Sequence, residues 1–222
     1  MFYDSEKSYP VIYVLDAEWR LDLIRAIAYD MEGNKRIPYH IIVGIPHEDW
    51  EYKRGIDLTF TKTKIEFDGS ISDSSQYTDK SAGGGIHFLR YLKNELVIDV
   101  DEKYSTNGYN ILIGHSYGGY FGSYILPLEN PFSAFQIYDP SIWYSNGEVI
   151  SHLTDNLNKD KEDHIFITYQ NDPSFDYNQI KKFIDSLSYY SNIRFTSKEY
   201  FDETHNFLFM YSFIDGMKSL HP

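Results

Sequence analysis

Five residues, Gly114-His115-Ser116-Tyr117-Gly118, set a serine between glycines in the pattern G-x-S-x-G. A serine hydroxyl is a useful nucleophile only beside an oriented base. This pattern serves that chemistry when it forms a sharp turn from a strand into a helix. The turn holds the serine in a strained backbone state that only small neighbours permit. Gly114 and Gly118 are those neighbours, and Gly119 lets the following helix approach the sheet closely. The apolar run Ile111-Leu112-Ile113 reads as a buried strand leading in, and Tyr120 to Leu126, stopped by Pro127, as a helix leading out. Such a turn lifts the Ser116 hydroxyl above the sheet. It also aims the Tyr117 backbone N–H, at a helix N-terminus, toward a developing oxyanion.

The base must be a histidine that reaches the same edge. His205 lies in the loop Phe201-Asp-Glu-Thr-His205, just after the last run that reads as a strand, and is the expected general base. His221, next to the last residue, is a poor rival. His115 sits inside the turn and points away from the nucleophile's side, whereas His47 lies in a loop at the correct edge and is placed to touch substrate. The acid should leave a strand between the serine and the histidine. Asp172, after His164 to Tyr169, is the best placed. Asp176 and Asp139 are rivals, and a Ser-His dyad with no acid is a further alternative. A second oxyanion donor is expected from backbone N–H groups at Ala17 and Glu18, after the first strand. Trp143, Tyr144 and Tyr117 are candidates for an aromatic substrate wall. Arg54 is a candidate for steering an anionic substrate, or else pairs with Asp57 or another loop carboxylate.

These residues need a scaffold that brings distant segments to one edge. Tyr9-Pro-Val-Ile-Tyr-Val-Leu-Asp16 reads as a buried strand. Apolar residues at Leu23, Ile24, Ile27, Ala28 and Met31 follow helical spacing, and Gly33-Asn34 ends that helix. His40 to Pro46 reads as a second buried strand. Strand, helix, strand implies a parallel unit. The polar stretch from Asp49 to Ser81 reads as a long excursion over the sheet's carboxyl edge. Gly83-Gly84-Gly85 opens a helix through Ile86, Phe88, Leu89, Leu92, Leu96 and Val97. No Lys-Ser/Thr follows it, which argues against a nucleotide site. Further strands are expected over Phe132 to Asp139, His164 to Tyr169 and Ile193 to Tyr200. Helices are expected over Asn178 to Tyr189 and Asn206 to Leu220.

Composition narrows the rest. The chain has 222 residues, enough for a single α/β domain over 1–222. A net charge of −13 disfavours nucleic acid and anionic membrane as partners. With no cysteine there is no disulfide, thiolate metal site or cysteine nucleophile. No metal or other cofactor is expected. The 21 tyrosines imply many rings packed with a wet hydroxyl. Met1-Phe-Tyr-Asp-Ser-Glu-Lys has no apolar leader, and no apolar run is long enough to span a bilayer, so a cytoplasmic location is expected.

Taken together, the motifs resemble those of the esterase D-like family of esterases, which includes the trilactone-siderophore esterases. Tyr9-Pro-Val-Ile-Tyr-Val-Leu-Asp16 is similar to that family's YPVLYLLDG strand, with Ala17 in place of the glycine. Ile42-Val-Gly-Ile-Pro46 is similar to VVGIPN, and Arg54-Gly-Ile-Asp57-Leu-Thr to RxRDLTP. Gly83-Gly-Gly-Ile-His-Phe-Leu is similar to GGAxxFLxFL, and Ile113-Gly-His-Ser-Tyr-Gly-Gly119 to IGHSLGG. Asp139-Pro-Ser-Ile-Trp143 is similar to SPSLWW, and Thr204-His205 to the TH that carries the family's histidine. The resemblance covers nearly the whole chain. It implies an α/β-hydrolase fold, a mostly parallel central sheet flanked by helices; where members usually carry an antiparallel strand pair before the first of these motifs, this chain has only eight residues, so a shortened N-terminal strand region is expected. It also implies ester hydrolysis of a small molecule by Ser116 and His205. Gln170-Asn171-Asp172 stands where members carry an acid. An acyltransferase on the same residues and an inactive hydrolase-fold binding protein are the alternatives.

Overall fold

A computed structural model describes residues 3–72, 81–156, 162–172, 177–189 and 193–221. Its frame is a six-stranded sheet in the order β2-β1-β3-β4-β5-β6. The strands are β1 (Tyr9–Leu15), β2 (Ile41–Ile45), β3 (Thr106–His115), β4 (Ala134–Tyr138), β5 (His164–Gln170) and β6 (Arg194–Tyr200). Every adjacent pair is parallel. The strand, helix, strand opening and the α/β class expected from the sequence are both observed.

Parallel strands are covered on both faces, so their residues alternate between two apolar layers. In β1, Val11, Tyr13 and Leu15 face one core while Ile12 and Val14 face the other. In β3, Leu112 faces the first and Ile111 and Ile113 the second. The second layer is closed by α1 (Ala17–Gly33) and α8 (Leu208–Leu220), through Ile24, Ala28, Phe209, Phe213 and Met217. The first layer is closed by α3 (Gly85–Tyr91), α5 (Tyr117–Ile125), α6 (Tyr144–Asn156) and α7 (Tyr177–Leu187). Each fully buried Leu, Ile or Phe in these layers contributes about 1.5–3 kcal/mol.

The sequence expected one irregular excursion over 49–81. The described part of it instead opens with a helix, α2 (Trp50–Leu58), and carries a short antiparallel bridge between Ile65 and Ile71. The helix expected from Ile86 runs on after α3 through a π-helical turn, Leu92–Leu96, into α4 (Val97–Lys103). Helix α6 was not expected. Its first turn is masked in the sequence by Ser145, Asn146 and Gly147, all left-handed. Among the described residues no helix is long and apolar enough to cross a membrane.

Candidate active site

The turn between β3 and α5 has the geometry that the glycine-serine pattern demands. Ser116 adopts φ 58° and ψ −119°. A non-glycine residue held there costs on the order of 1–3 kcal/mol. The glycines explain how the turn closes. A Cβ on Gly114 would lie 2.1 Å from the Gly118 carbonyl oxygen, and one on Gly119 would lie 2.9 Å from Pro140 Cα. The Ser116 N–H donates to the Tyr138 carbonyl at 3.1 Å, and its own carbonyl accepts from Tyr120 and Ser141. Its Oγ lies 3.3 Å from Ser141 Oγ. Ser141 was not singled out from the sequence, although it sits in the Asp139-Pro-Ser stretch.

His205 reaches this edge from the loop after β6, as expected, and lines the same cleft as Ser116. The carboxylate that the structure sets on the His205 ring is Asp139, named above as a rival to Asp172. Nδ1 of His205 lies 2.6 Å from Oδ2 of Asp139. A carboxylate only accepts, so Nδ1–H donates and the ring proton sits on Nδ1. Strand order explains the choice. His115 pairs in register with Tyr138, so the residue after each, Ser116 and Asp139, leaves neighbouring strands side by side. Asp172 follows β5, one strand further from the serine. Asp139 is itself held at φ 40°, with its N–H on Thr168 O at 2.7 Å and its Oδ1 accepting from Gln170 N at 3.1 Å. Asp176 lies outside the described residues.

On the other side of the serine, β1 delivers Asp16, Ala17 and Glu18. Asp16 is left-handed at φ 56°, and helix α1 starts immediately after it. The Ala17 and Glu18 N–H groups therefore belong to the first turn of a helix, as Tyr117 N–H does in α5. The two helix starts lie close together: a Cβ on Gly118 would be 3.5 Å from both Asp16 Oδ2 and Leu15 Cβ. Two positive helix ends thus converge at one edge.

Arg54 shapes this corner. Of the pairings expected, with Asp57 or with another loop carboxylate, the structure shows the second: Asp16, in the turn after β1, takes Nε on Oδ1 at 2.6 Å and Nη2 on Oδ2 at 3.0 Å. Its guanidinium carbon also lies 5.7 Å from the Trp19 ring and 5.3 Å from the Tyr117 ring. Asp57 instead takes Lys53 at 2.7 Å and His47 at 3.2 Å. His47, placed at the substrate edge by sequence, is buried between Asp57 and Asp16, 3.5 Å from the latter.

The cleft holds about 240 Å³ and is walled by Arg54, Phe67, Tyr117, Trp143 and Ile180, with Ser116, Asp139, Ser141 and His205 at its base. Trp143 and Tyr117 stand as an aromatic wall, 6.0 Å between ring centroids. Tyr144 does not join them in the cleft. It is fully buried, with its hydroxyl on the Thr61 carbonyl, and supports the two rings from behind. Phe67, from the unpatterned excursion, was missed because no periodicity marks it. No group of His, Asp and Glu among the described residues is arranged to hold a metal ion.

Residues 1–136 match the family model described as "Putative esterase". The chain belongs to that family. It is an esterase, and its fold is that of the known serine hydrolases. An IroE-like serine hydrolase from Shewanella oneidensis superposes with a TM-score of 0.84 at 27% identity, over 96% of this chain and 70% of that one. The siderophore hydrolase EstA from Aspergillus nidulans gives 0.77 at 17%, over 98% and 85%. An enterobactin hydrolase, IroE, in complex with DFP gives 0.74 at 18%, over 99% and 85%. A search of curated proteins finds no match to this esterase.

Proposed function

We propose that this esterase cleaves a small-molecule carboxylic ester through an acyl-enzyme on Ser116. The observation that carries the reading is the meeting of Ser116, His205 and Asp139 in one cleft at the carboxyl edge of the sheet. The Ser116 hydroxyl turns from Ser141 toward His205 Nε2 and gives up its proton as Oγ attacks the ester carbonyl. The Asp139 carboxylate holds the ring by Nδ1 and stabilises the imidazolium that forms. The oxyanion is received by the Tyr117 N–H and the Ala17 and Glu18 N–H groups at the two helix starts. The imidazolium then protonates the leaving alkoxide. Water, deprotonated by His205, releases the acid and restores the serine. Trp143, Tyr117 and Phe67 support an ester with a flat apolar group. Because similar structures include siderophore hydrolases, a siderophore ester is the natural substrate class to test first.

The test is labelling by a fluorophosphonate together with turnover of an aryl-ester panel. Wild type is expected to label and turn over, and Ser116→Ala to do neither. A folded wild-type protein that neither labels nor cleaves any ester overturns the reading.

A further inference from the structure

His115 occupies the variable position of the G-x-S-x-G turn, covalently next to the nucleophile. Its ring does not point away unused. It is buried beneath the base loop, with Nε2 2.7 Å from the His205 carbonyl oxygen and Nδ1 3.2 Å from Arg20 Nη2. A guanidinium only donates, so Nδ1 accepts and the ring proton sits on Nε2, where it is donated to the His205 carbonyl. The ring also faces the His205 ring at 4.3 Å between centroids and meets Phe209 edge-on at 5.8 Å. Arg20 is on α1, the helix that begins at the Ala17 and Glu18 donors. Its Nη2 also donates to Asn206 Oδ1 at 3.3 Å, and its guanidinium lies 4.5 Å from the Phe209 ring.

One side chain therefore touches all three parts of the site: the serine through the backbone, the base through its carbonyl and ring, and the oxyanion helix through Arg20. Resting on the esterase reading above, we propose that His115 is a positioning residue. It sets the distance between Ser116 and His205 by tying the backbone of the base loop to the nucleophile turn. Burial, with His205 and Arg20 as neighbours, holds the His115 ring well below the usual histidine range. It therefore stays neutral, with its single donor and single acceptor both engaged.

The experiment compares wild type with His115→Phe, His115→Gln and Arg20→Met on one aryl ester, reading kcat, KM and melting temperature. Phenylalanine keeps the ring and loses both bonds. Glutamine offers an N–H toward the His205 carbonyl and an oxygen toward Arg20. For His115→Phe, kcat is expected to fall about tenfold to hundredfold at unchanged KM, because a shift of about 1 Å in the base costs that much. Glutamine is expected to recover most of the loss. Arg20→Met frees the tautomer and is expected to lower kcat about threefold to tenfold, again at unchanged KM.

A kcat for His115→Phe within about threefold of wild type overturns the proposal, as does a glutamine variant no better than phenylalanine. Should His115→Phe not fold, Arg20→Met decides: a drop in kcat alone supports the tie, and an unchanged kcat rejects it. An inert wild type is a different result, since it fails the esterase reading itself.

Discussion

Asp16 and Asp139 are near-equivalents placed on either side of Ser116. Each follows the last residue of a strand next to β3, each is almost wholly buried, and each is left-handed, at φ 56° and φ 40°. Their partners differ. Asp16 is gripped by Arg54 through two bonds, whereas Asp139 accepts a single 2.6 Å bond from His205. Arginine keeps its proton at any accessible pH, so Asp16–Arg54 is a fixed brace beside the first turn of α1. On the proposed mechanism His205 carries a second proton only while the serine is being acylated or released, so the same carboxylate geometry at Asp139 serves a charge that comes and goes. On that mechanism, one corner of the sheet edge thus holds shape, and the other supports proton transfer.

Neutralising the two carboxylates separately breaks this comparison if it is wrong. Asp139→Asn is expected to lower kcat by about 10³–10⁴-fold, because an amide can present its N–H to Nδ1 and stabilise the wrong tautomer. The fold should survive, and the melting temperature checks that. Asp16→Asn should act mainly on stability. It leaves the Arg54 charge facing an amide where the two side chains are only 17% and 3% exposed. Breaking a buried pair from one side costs about 3–5 kcal/mol, which denaturant unfolding would register. Its effect on kcat is expected to be smaller than that of Asp139→Asn, about tenfold to hundredfold, through the Ala17 and Glu18 donors. If Asp16→Asn proves the more damaging to kcat, the roles are reversed. Asp172→Ala is the control: turnover within about threefold of wild type is expected, and a larger loss would return the acid to the end of β5.

Why Asp172 looked the better acid shows where sequence reading stops. The serine turn announces itself, because glycine, serine and an apolar run are adjacent in the chain. The strands do too: β1, β5 and β6 lie where β-branched and aromatic runs place them. His205 follows, since few histidines stand after the last strand. The acid depends on which strand ends beside β3 and on the angle at which its last residue turns. Both are long-range facts. Asp139 and Asp172 each precede a proline and carry the same ordinary signature of a turn, so local sequence could name Asp139 only as a rival. Arg54 is the same case: Asp57 is three residues away in sequence, yet the partner is Asp16, brought close only when β1 and α2 pack at one edge. His115 was visible as a motif position, but the direction of its ring is set by α1 and the base loop together.

The opposite end of the sheet offers the mildest test, and separates loss of activity from loss of fold in acid. There His221 Nε2 lies 3.2 Å from His40 Nε2. Burial, with His40 and His164 nearby, lowers its pKa from 6.5 to about 4. The unfolded chain therefore binds a proton below pH 6.5 that the folded chain refuses until about pH 4. Stability is fully present above pH 6.5 and is lost as pH falls toward the folded value. The buried His115 shifts in the same direction and adds to the loss. In His221→Gln the fall in unfolding free energy between pH 7 and pH 5 should shrink, while the shape of the pH–rate profile stays as in wild type. Both curves moving together would mean that the amino end of the sheet is coupled to the Asp139–His205 corner, and that the division between bracing and proton-handling carboxylates is not local to the edge where they sit.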